Sequence, residues 1–484
     1  MGMGRTSLLV ALAGALAACG GGGSGGSGSG PTSGGNTGGG SSGGGTSGGG
    51  SASGTCSLTA RQNWVFEQLD QYYLFPDKLA RNLNPGAYAT VQDYIDALVA
   101  PSVFPTGGPL QRAGLTYITS IQEEEELINS GASAGFGVRF ALSSSNRLYV
   151  LEAFENGPAY PQGLDRGTEI ISINGKSVAQ LLSNGTINEE LGPSTPGLTV
   201  QFRIRQPDGM TRDVSVTKTV FSLDPISDRY GVKILDNGGT KVGYINLRTF
   251  IVADAAPQLR AAFGQLKAQG ITQVIVDLRY NGGGLTSVAE VFGSLLGADQ
   301  VGKVFSHTVF RNSLAQYNET VNFSAEPNAI PAMKIAFIGT GSTASASELV
   351  ANAFIPYLGN NTALIGSNTY GKPVGQIALD REACDDRLRA IAFRTTNAND
   401  QGDYYGGLAS VFPVTCRATD DYLKPLGDPT EASVATALDF LAGRSCTPIT
   451  GSSTARTTAG TKATMRVLQP AQPGTLERDV PGAY

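Results

Sequence analysis

Residues 334–354 read KIAFIGTGSTASASELVANAF. The opening run is short, apolar and bounded by glycine, as in a strand buried on both faces. A turn of Gly, Thr and Ser follows, and from residue 346 the apolar residues recur at helical spacing. A buried strand that passes through a small-residue turn into a helix is the repeating unit of an α/β sheet. The pattern extends upstream. VGYINLRTF (242–250) reads as a strand, residues 256–270 as a helix ending in glycine, TQVIVDLRY (272–280) as a buried strand and SVAEVFGSLLG (287–297) as a helix. Residues 223–446 are therefore expected to form an α/β core.

Outside this core the composition changes several times. Residues 1–19 carry one arginine and then a run of small and apolar residues too short for a membrane span, which predicts a secretory signal. The run ends in Leu16, Ala17, Ala18 and Cys19, and it resembles a bacterial lipoprotein signal with lipidation at Cys19. Gly20, where an aspartate would favour inner-membrane retention, leans towards the outer membrane by the rule of that class. Residues 20–55 are almost all Gly, Ser, Thr and Asn, a disordered tether spanning roughly 35 Å. Residues 56–130 show helical patterns broken by Pro76, Pro85 and Pro105, and the acidic run 123–126 reads as a solvated helix face. Residues 131–222 turn to strand alternation, with LTVQFRIRQ and TRDVSVTKTV joined by the turn Pro207, Asp208, Gly209. Residues 447–484 are polar, rich in Thr, Ala and Pro, and aperiodic, and are expected to be disordered.

Charge and cysteine content narrow the chemistry. The net charge is −5 with no basic cluster, which argues against a nucleic-acid partner. With Cys19 set aside, Cys56, Cys384, Cys416 and Cys446 remain, spaced unlike a zinc site and far from the one histidine, His307. No metal or cofactor is implied. An even count outside the cytoplasm permits two disulfides. RLRAIAFRTT (387–396) and GGLASVFPV (406–414) read as a hairpin whose ends would bring Cys384 to Cys416, leaving Cys56–Cys446 to join the ends of the folded unit. Four free thiols are the competing possibility.

The middle region contains Gly135, Phe136, Gly137 and Val138, then Gly157, Pro158, Ala159, then GTEIISING (167–175). This 45-residue pattern resembles a PDZ domain. The resemblance makes Gly135–Phe136–Gly137–Val138 the loop and strand that receive a peptide C-terminus, through converging N–H groups and edge addition of a strand. Thr168 stands where the family usually has aspartate.

The junction at 340–347 offers three serines. A serine at the start of a helix has the free N–H of the next residue beside it, although capping alone would also explain serine there. Two further motifs decide between these readings. VIVDLRYNGGG sets Gly282, Gly283 and Gly284 just after a strand, and YGKPVGQ sets Lys372 27 residues after Ser345 with Gln376 four further on. S-A-S-E, G-K and D-L-R-x-N-x-G-G in this arrangement resemble the carboxyl-terminal-processing (tail-specific) serine peptidases, and the likeness extends over residues 58–443. It implies Ser345 as nucleophile, Lys372 as general base, Gln376 as its orienting partner, and the amides of Gly283 and Ala346 as oxyanion donors. It also implies a crotonase-like α/β sandwich with the PDZ domain inserted before it. Gly282 departs from the pattern, which has proline there.

A lysine base must be neutral near pH 7, which takes about 3–4 kcal/mol of destabilisation of its ammonium by burial. Two other matches fail on context. Residues 366–372 fit a Walker A spacing but Pro373 follows, so no nucleotide is expected. Ser215-x-x-Lys218 lies in an alternating strand without a K-T-G partner, and His307 in VFSHTVF is expected to be structural. The sequence thus predicts a serine endopeptidase, lipid-anchored in the cell envelope on the periplasmic face of the outer membrane or the cell surface. Its substrates would be proteins or peptides engaged through their C-termini. The alternative is an inactive PDZ-containing binding or scaffold lipoprotein.

Overall fold

Alternating apolar strands and amphipathic helices assemble as the sequence predicts. The computed structural model describes residues 54–102, 114–450, 465–470 and 473–484. The expected signal, Cys19 and all but the last residues of the tether lie outside the described residues. Among the described residues no helix is long and apolar enough to cross a membrane.

The core is a six-stranded sheet in the order Val232–Asn237, Thr240–Asn246, Gln273–Asp277, Lys334–Gly339, Thr362–Gly366, Val414–Arg417. The first pair is antiparallel and the rest are parallel. Parallel strands need crossovers, and the helices supply them. Ala255–Ala268, Thr286–Leu296 and Ala346–Leu358 cover one face around Phe263, Phe292, Phe337 and Phe354. Ala432–Leu441 covers the other, against Ile275, Ile338 and Ile365. Burial on both faces explains why these strands are continuous apolar runs.

A second, antiparallel sheet contains Val304–Phe310, Glu319–Asn322, Val374–Arg381 and Asp386–Thr396, with Tyr117–Ser120 at an edge. The helices Leu58–Tyr72 and Val91–Val99 lay Val65, Leu69, Ile95 and Leu98 on Leu388 and Ile391 of this sheet. The acidic helix Ile121–Ser130 departs from the fully solvated face expected of it. Glu124 is buried and pairs with Arg387 and Arg389. Its partners lie more than 260 residues away, beyond any local pattern.

Residues 138–217 form an antiparallel sheet with the helices Val178–Asn184 and Ile187–Leu191 packed on it. The expected hairpin is present in register, Thr199 opposite Thr217 and Arg205 opposite Thr211. A two-stranded ribbon, Ala132–Gly135 with Thr219–Ser222, brackets this sheet.

Two expectations are corrected. The disulfides are Cys56–Cys384 and Cys416–Cys446, with Cα atoms 5.5 and 5.3 Å apart, rather than Cys384–Cys416 and Cys56–Cys446. The hairpin behind the first assignment does not form. Asp386–Thr396 pairs back onto Val374–Arg381, with Cys384 in their turn, while Val414–Arg417 joins the other sheet beside Thr362–Gly366. Cys384 meets the short turn Gly54–Cys56, and Cys416 meets the chain leaving the last core helix. The second correction concerns the tail. Within 447–484, Met465–Val467 is a strand paired with Val138–Ser143, and Thr475–Asp479 is a helical turn. Its order comes from a sheet edge and from burial of Leu476, Val480, Ala483 and Tyr484, not from any periodicity of its own.

Peptide mapping without reduction should recover Cys56–Cys384 and Cys416–Cys446 peptides. Replacing Cys416 and Cys446 by serine should destabilise the fold by up to about 3–4 kcal/mol, the chain-entropy value for a loop of that size, measured by urea unfolding.

Candidate active site

Three neighbouring parallel strands end level with one another, Asp277 opposite Ile338 and Gly339 opposite Gly366. Each strand end leads into one of the expected motifs: the first into Gly282–Gly284, the second into Ser345, the third into Lys372. The carboxyl ends of parallel strands are where ligands bind in open α/β sheets.

Ser345 is the residue just before the helix Ala346–Leu358, with φ 54° and ψ −117°. That conformation costs a non-glycine residue about 1–3 kcal/mol, and it is held by a capping box between Ser345 and Glu348 at the helix start. The other two serines have structural partners: Ser347 Oγ donates to the Asn281 carbonyl (3.1 Å), and Ser342 N–H donates to Thr340 Oγ1 (3.3 Å). Gly283 packs on Ser345 so closely that a Cβ there would stand 2.7 Å from Ser345 Cβ, and its φ of 109° also requires glycine.

The expected pair of oxyanion donors is half available. The Ala346 N–H has no hydrogen-bond partner among the described residues. The Gly283 N–H instead donates to Asn281 Oδ1 (2.9 Å). This corrects its expected role in the present conformation: Asn281 folds back on its own loop, as Asn does two residues ahead of a turn. Asn281 also accepts from Ala344 N–H (3.0 Å) through its carbonyl and donates to the Leu247 carbonyl (2.8 Å), so it stitches the glycine loop to the serine turn.

Lys372 is largely buried, and its Nζ donates to Gln376 Oε1 at 3.1 Å rather than to Ser345 Oγ. Gln376 is aimed by a bulge between Gly375 and Gln376 in the pairing with Asp386–Thr396, and its Nε2 donates to the Leu115 carbonyl (2.6 Å). Burial lowers the Lys372 pKa from its ordinary value, against the carboxylates of Asp479 and Glu348, which favour the ammonium. Arg389 and Arg478 add to the lowering.

Glu348 ties the serine to the lysine, a role that sequence reasoning missed. The side chain is fully buried and accepts four hydrogen bonds: from Ser345 N–H (3.1 Å), Lys372 N–H (2.7 Å), Gly371 N–H (2.7 Å) and Thr369 Oγ1 (2.6 Å). Burial pushes its carboxyl up to about 7 in spite of these donors. Only its place as the last letter of S-A-S-E pointed to it; its partners at 369–372 come from another strand.

Beneath the glycine loop, Arg279 pairs with Asp277 (3.0 Å), Asp420 (2.9 Å) and Glu431 (2.9 Å); Arg279, Asp277 and Glu431 are buried, and the Asp420 side chain is 8% exposed. Removing one member of such a cluster leaves an uncompensated charge. Tyr280, the next residue, is held at φ 66°, and its carbonyl accepts from Arg139 Nη1 (3.1 Å). Arg139 follows the Gly135, Phe136, Gly137, Val138 stretch, which lies apart from Ser345 on the other sheet. There the N–H groups of Phe136, Gly137 and Val138 converge on the Tyr484 oxygen at 2.8, 3.0 and 3.5 Å. Lys218 is held by the carbonyls of Gly192 (2.9 Å) and Pro193 (2.8 Å). His307 Nδ1 meets Thr320 Oγ1 at 2.9 Å.

Glu348→Ala would strand four donors in the interior. At about 1–3 kcal/mol for each unsatisfied group that solvent cannot reach, urea unfolding should show a loss of several kcal/mol, with Glu348→Gln intermediate because it keeps one acceptor oxygen.

Residues 241–398 match peptidase family S41. The chain is 28% identical to a carboxyl-terminal-processing protease of Picosynechococcus over 245 residues, covering 50% of this chain and 55% of that one. It is 31% identical to carboxyl-terminal-processing peptidase 1, chloroplastic, of Arabidopsis thaliana over 226 residues, covering 47% and 44%. The chain thus spans about half the length of the curated relatives it matches. A crystal structure from Bacteroides fragilis, provisionally described as an S41 protease, shares the fold with a TM-score of 0.60 at 21% identity, covering 78% of this chain and 97% of that one. The strand-end serine, lysine and glycine loop therefore sit in a stretch that matches peptidase family S41, and the chain is similar to carboxyl-terminal-processing proteases over about half of its length.

Proposed function

We propose that the protein is a serine endopeptidase working through Ser345 and Lys372 on a crotonase-like core. Residues 131–222 act as a PDZ-type unit that binds substrate C-termini. The observation carrying this reading is the delivery of Gly283, Ser345 and Lys372 from three adjacent parallel strands, with Lys372 partly buried and bound to Gln376. Neutral Lys372 takes the proton from Ser345 Oγ as that oxygen attacks the scissile carbonyl. The Ala346 N–H meets the developing oxyanion at the helix start. Gly283 N–H becomes the second donor once it exchanges Asn281 for the oxyanion. Lys372 then passes the proton to the leaving amine, and water attacks the acyl-enzyme in the same way. Gln376 orients the Nζ throughout.

The alternative, a non-catalytic binding lipoprotein, draws support from the engagement of Gly283 N–H by Asn281. Casein hydrolysis separates the two readings. Ser345→Ala and Lys372→Ala should each lower kcat/KM by at least about a thousandfold, as loss of a nucleophile or its base does, with unchanged circular dichroism. Wild-type hydrolysis indistinguishable from Ser345→Ala would refute the peptidase. The rate of the wild type should rise with pH through the Lys372 pKa, because the neutral amine is the active form. That rise should lie below the ordinary lysine value of about 10.4, since burial lowers it.

We also propose that Cys19 is lipidated and that residues 20–55 tether the enzyme to an envelope membrane, on the periplasmic face of the outer membrane or at the cell surface. Cys19→Ser should move the protein from the membrane to the soluble fraction or block its maturation. Fractionation like the wild type would overturn the anchor.

A further inference from the structure

Residues 465–470 and 473–484 meet the same sheet edge twice. Met465–Val467 pairs antiparallel with the edge strand Val138–Ser143, Val467 opposite Ala141. The chain then leaves that edge, makes an excursion, and returns to it at Ala483 opposite Arg139. Phe140 N–H donates to the Gly482 carbonyl (2.8 Å), Tyr484 N–H donates to the Val138 carbonyl (3.0 Å), and the Tyr484 oxygen sits in the Phe136–Gly137 amides. The Tyr484 ring is buried beside Phe140, and its hydroxyl donates to Asn188 Oδ1 (2.7 Å), while Asn188 Nδ2 donates to the Gln469 carbonyl (3.3 Å). The groove assigned above to substrate is thus filled by this chain.

The excursion crosses the catalytic loop. A Cβ on Gly282 would stand 2.7 Å from the Asp479 carbonyl oxygen and 3.0 Å from Pro481 Cδ. Gly282 is the position where the family pattern has proline, so the departure from the pattern lies where the segment presses on the loop. Arg478 Nη1 donates to the Gly114 carbonyl (2.9 Å), Thr475 meets Thr119 (2.7 Å), and Leu476 and Val480 are buried against Leu127, Ile251 and Val252. Asp479 is buried, and its Oδ2 has no hydrogen-bond partner among the described residues.

We propose that residues 465–470 and 473–484 act as an intramolecular inhibitory strap. Tyr484 fills the peptide groove, residues 473–481 lie over the glycine loop beside the Ser345 site, and a substrate bearing a tyrosine at the position Tyr484 holds must displace the segment. Asn188 is then the residue that reads the phenolic hydroxyl. Asp479 reinforces the closed form. Its charge favours the Lys372 ammonium, the form that cannot act as base, while burial raises the Asp479 carboxyl to about 6. Glu348, Arg389 and Arg478 also face Lys372, and Glu124, Arg389 and Arg478 face Asp479.

This inference rests on the peptidase reading for its activity arm but not for its binding arm. The probe is fluorescein-labelled PGTLERDVPGAY, residues 473–484, followed by anisotropy, with casein hydrolysis measured in parallel. Three proteins are compared: the full chain, the chain ending at residue 450, and full-length Tyr484→Ala, which keeps the test available if the shortened chain does not fold. The shortened chain and Tyr484→Ala should bind the probe at least about tenfold tighter than the full chain, whose tethered segment competes at high effective concentration. Both should hydrolyse casein at least about tenfold faster, and Asp479→Asn should move the pH–rate profile to lower pH. Replacing the final tyrosine of the probe by phenylalanine should weaken binding to the opened proteins several-fold, and Asn188→Ala introduced into the shortened chain should abolish that discrimination. Equal probe binding by the full chain and both opened proteins would overturn the proposal, as would unchanged or slower casein hydrolysis in both opened proteins. If no protein exceeds the Ser345→Ala background, the peptidase reading falls, and the probe still decides whether the segment occupies the groove.

Discussion

One buried carboxylate holds the site together. Glu348 lies in the first turn of a core helix, yet its oxygens accept N–H groups from both the serine turn and the lysine loop. Those segments follow different strands and have no covalent reason to meet. Parallel pairing brings their strand ends level, and Glu348 converts that approximate proximity into a fixed one. The arrangement is exacting, because any of its four donors left unpaired would sit away from water.

The glycine loop obeys a related constraint. Gly283 lies against Ser345 where no side chain fits, and Tyr280 is held at positive φ by packing and by Arg139. Buried charges stabilise the loop from below through Arg279 and from the side through Arg139, which also pairs with Glu152. Arg248 pairs with the same Glu152 and with Glu155. The edge strand that carries Arg139 and the glycine loop are therefore joined through the bond from Arg139 Nη1 to the Tyr280 carbonyl. Strain of this kind persists only where the surroundings over-determine it.

Much of this was legible in the residues. Continuous apolar runs such as KIAFIG and TQVIVD could only be strands buried on both faces, and glycine after the strand at 277 announced a close approach. The S-A-S-E motif set Ser345 at the turn into a helix, where the structure also has it, and the G-K motif set Lys372 just ahead of the strand Val374–Arg381 that carries Gln376. These features are local: each depends on a few consecutive residues whose period, size or φ requirement is visible in the string.

What the string withheld depends on pairing between distant segments. The cysteines were assigned by a hairpin that each strand, taken alone, could have made; the strand Asp386–Thr396 found a better partner in Val374–Arg381, and the disulfides followed. Glu124 looked like one member of a solvated acidic run until Arg387 and Arg389 arrived from another sheet. The tail after residue 464 has no periodicity, because its order is lent by an edge strand more than 300 residues earlier. By itself the sequence determined the buried strands of the core and the small-residue turns that follow them, since those follow from local sterics and patterning. The tertiary structure alone decided which of them touch, since hydrogen bonds and burial across a sheet are settled by every competing partner at once.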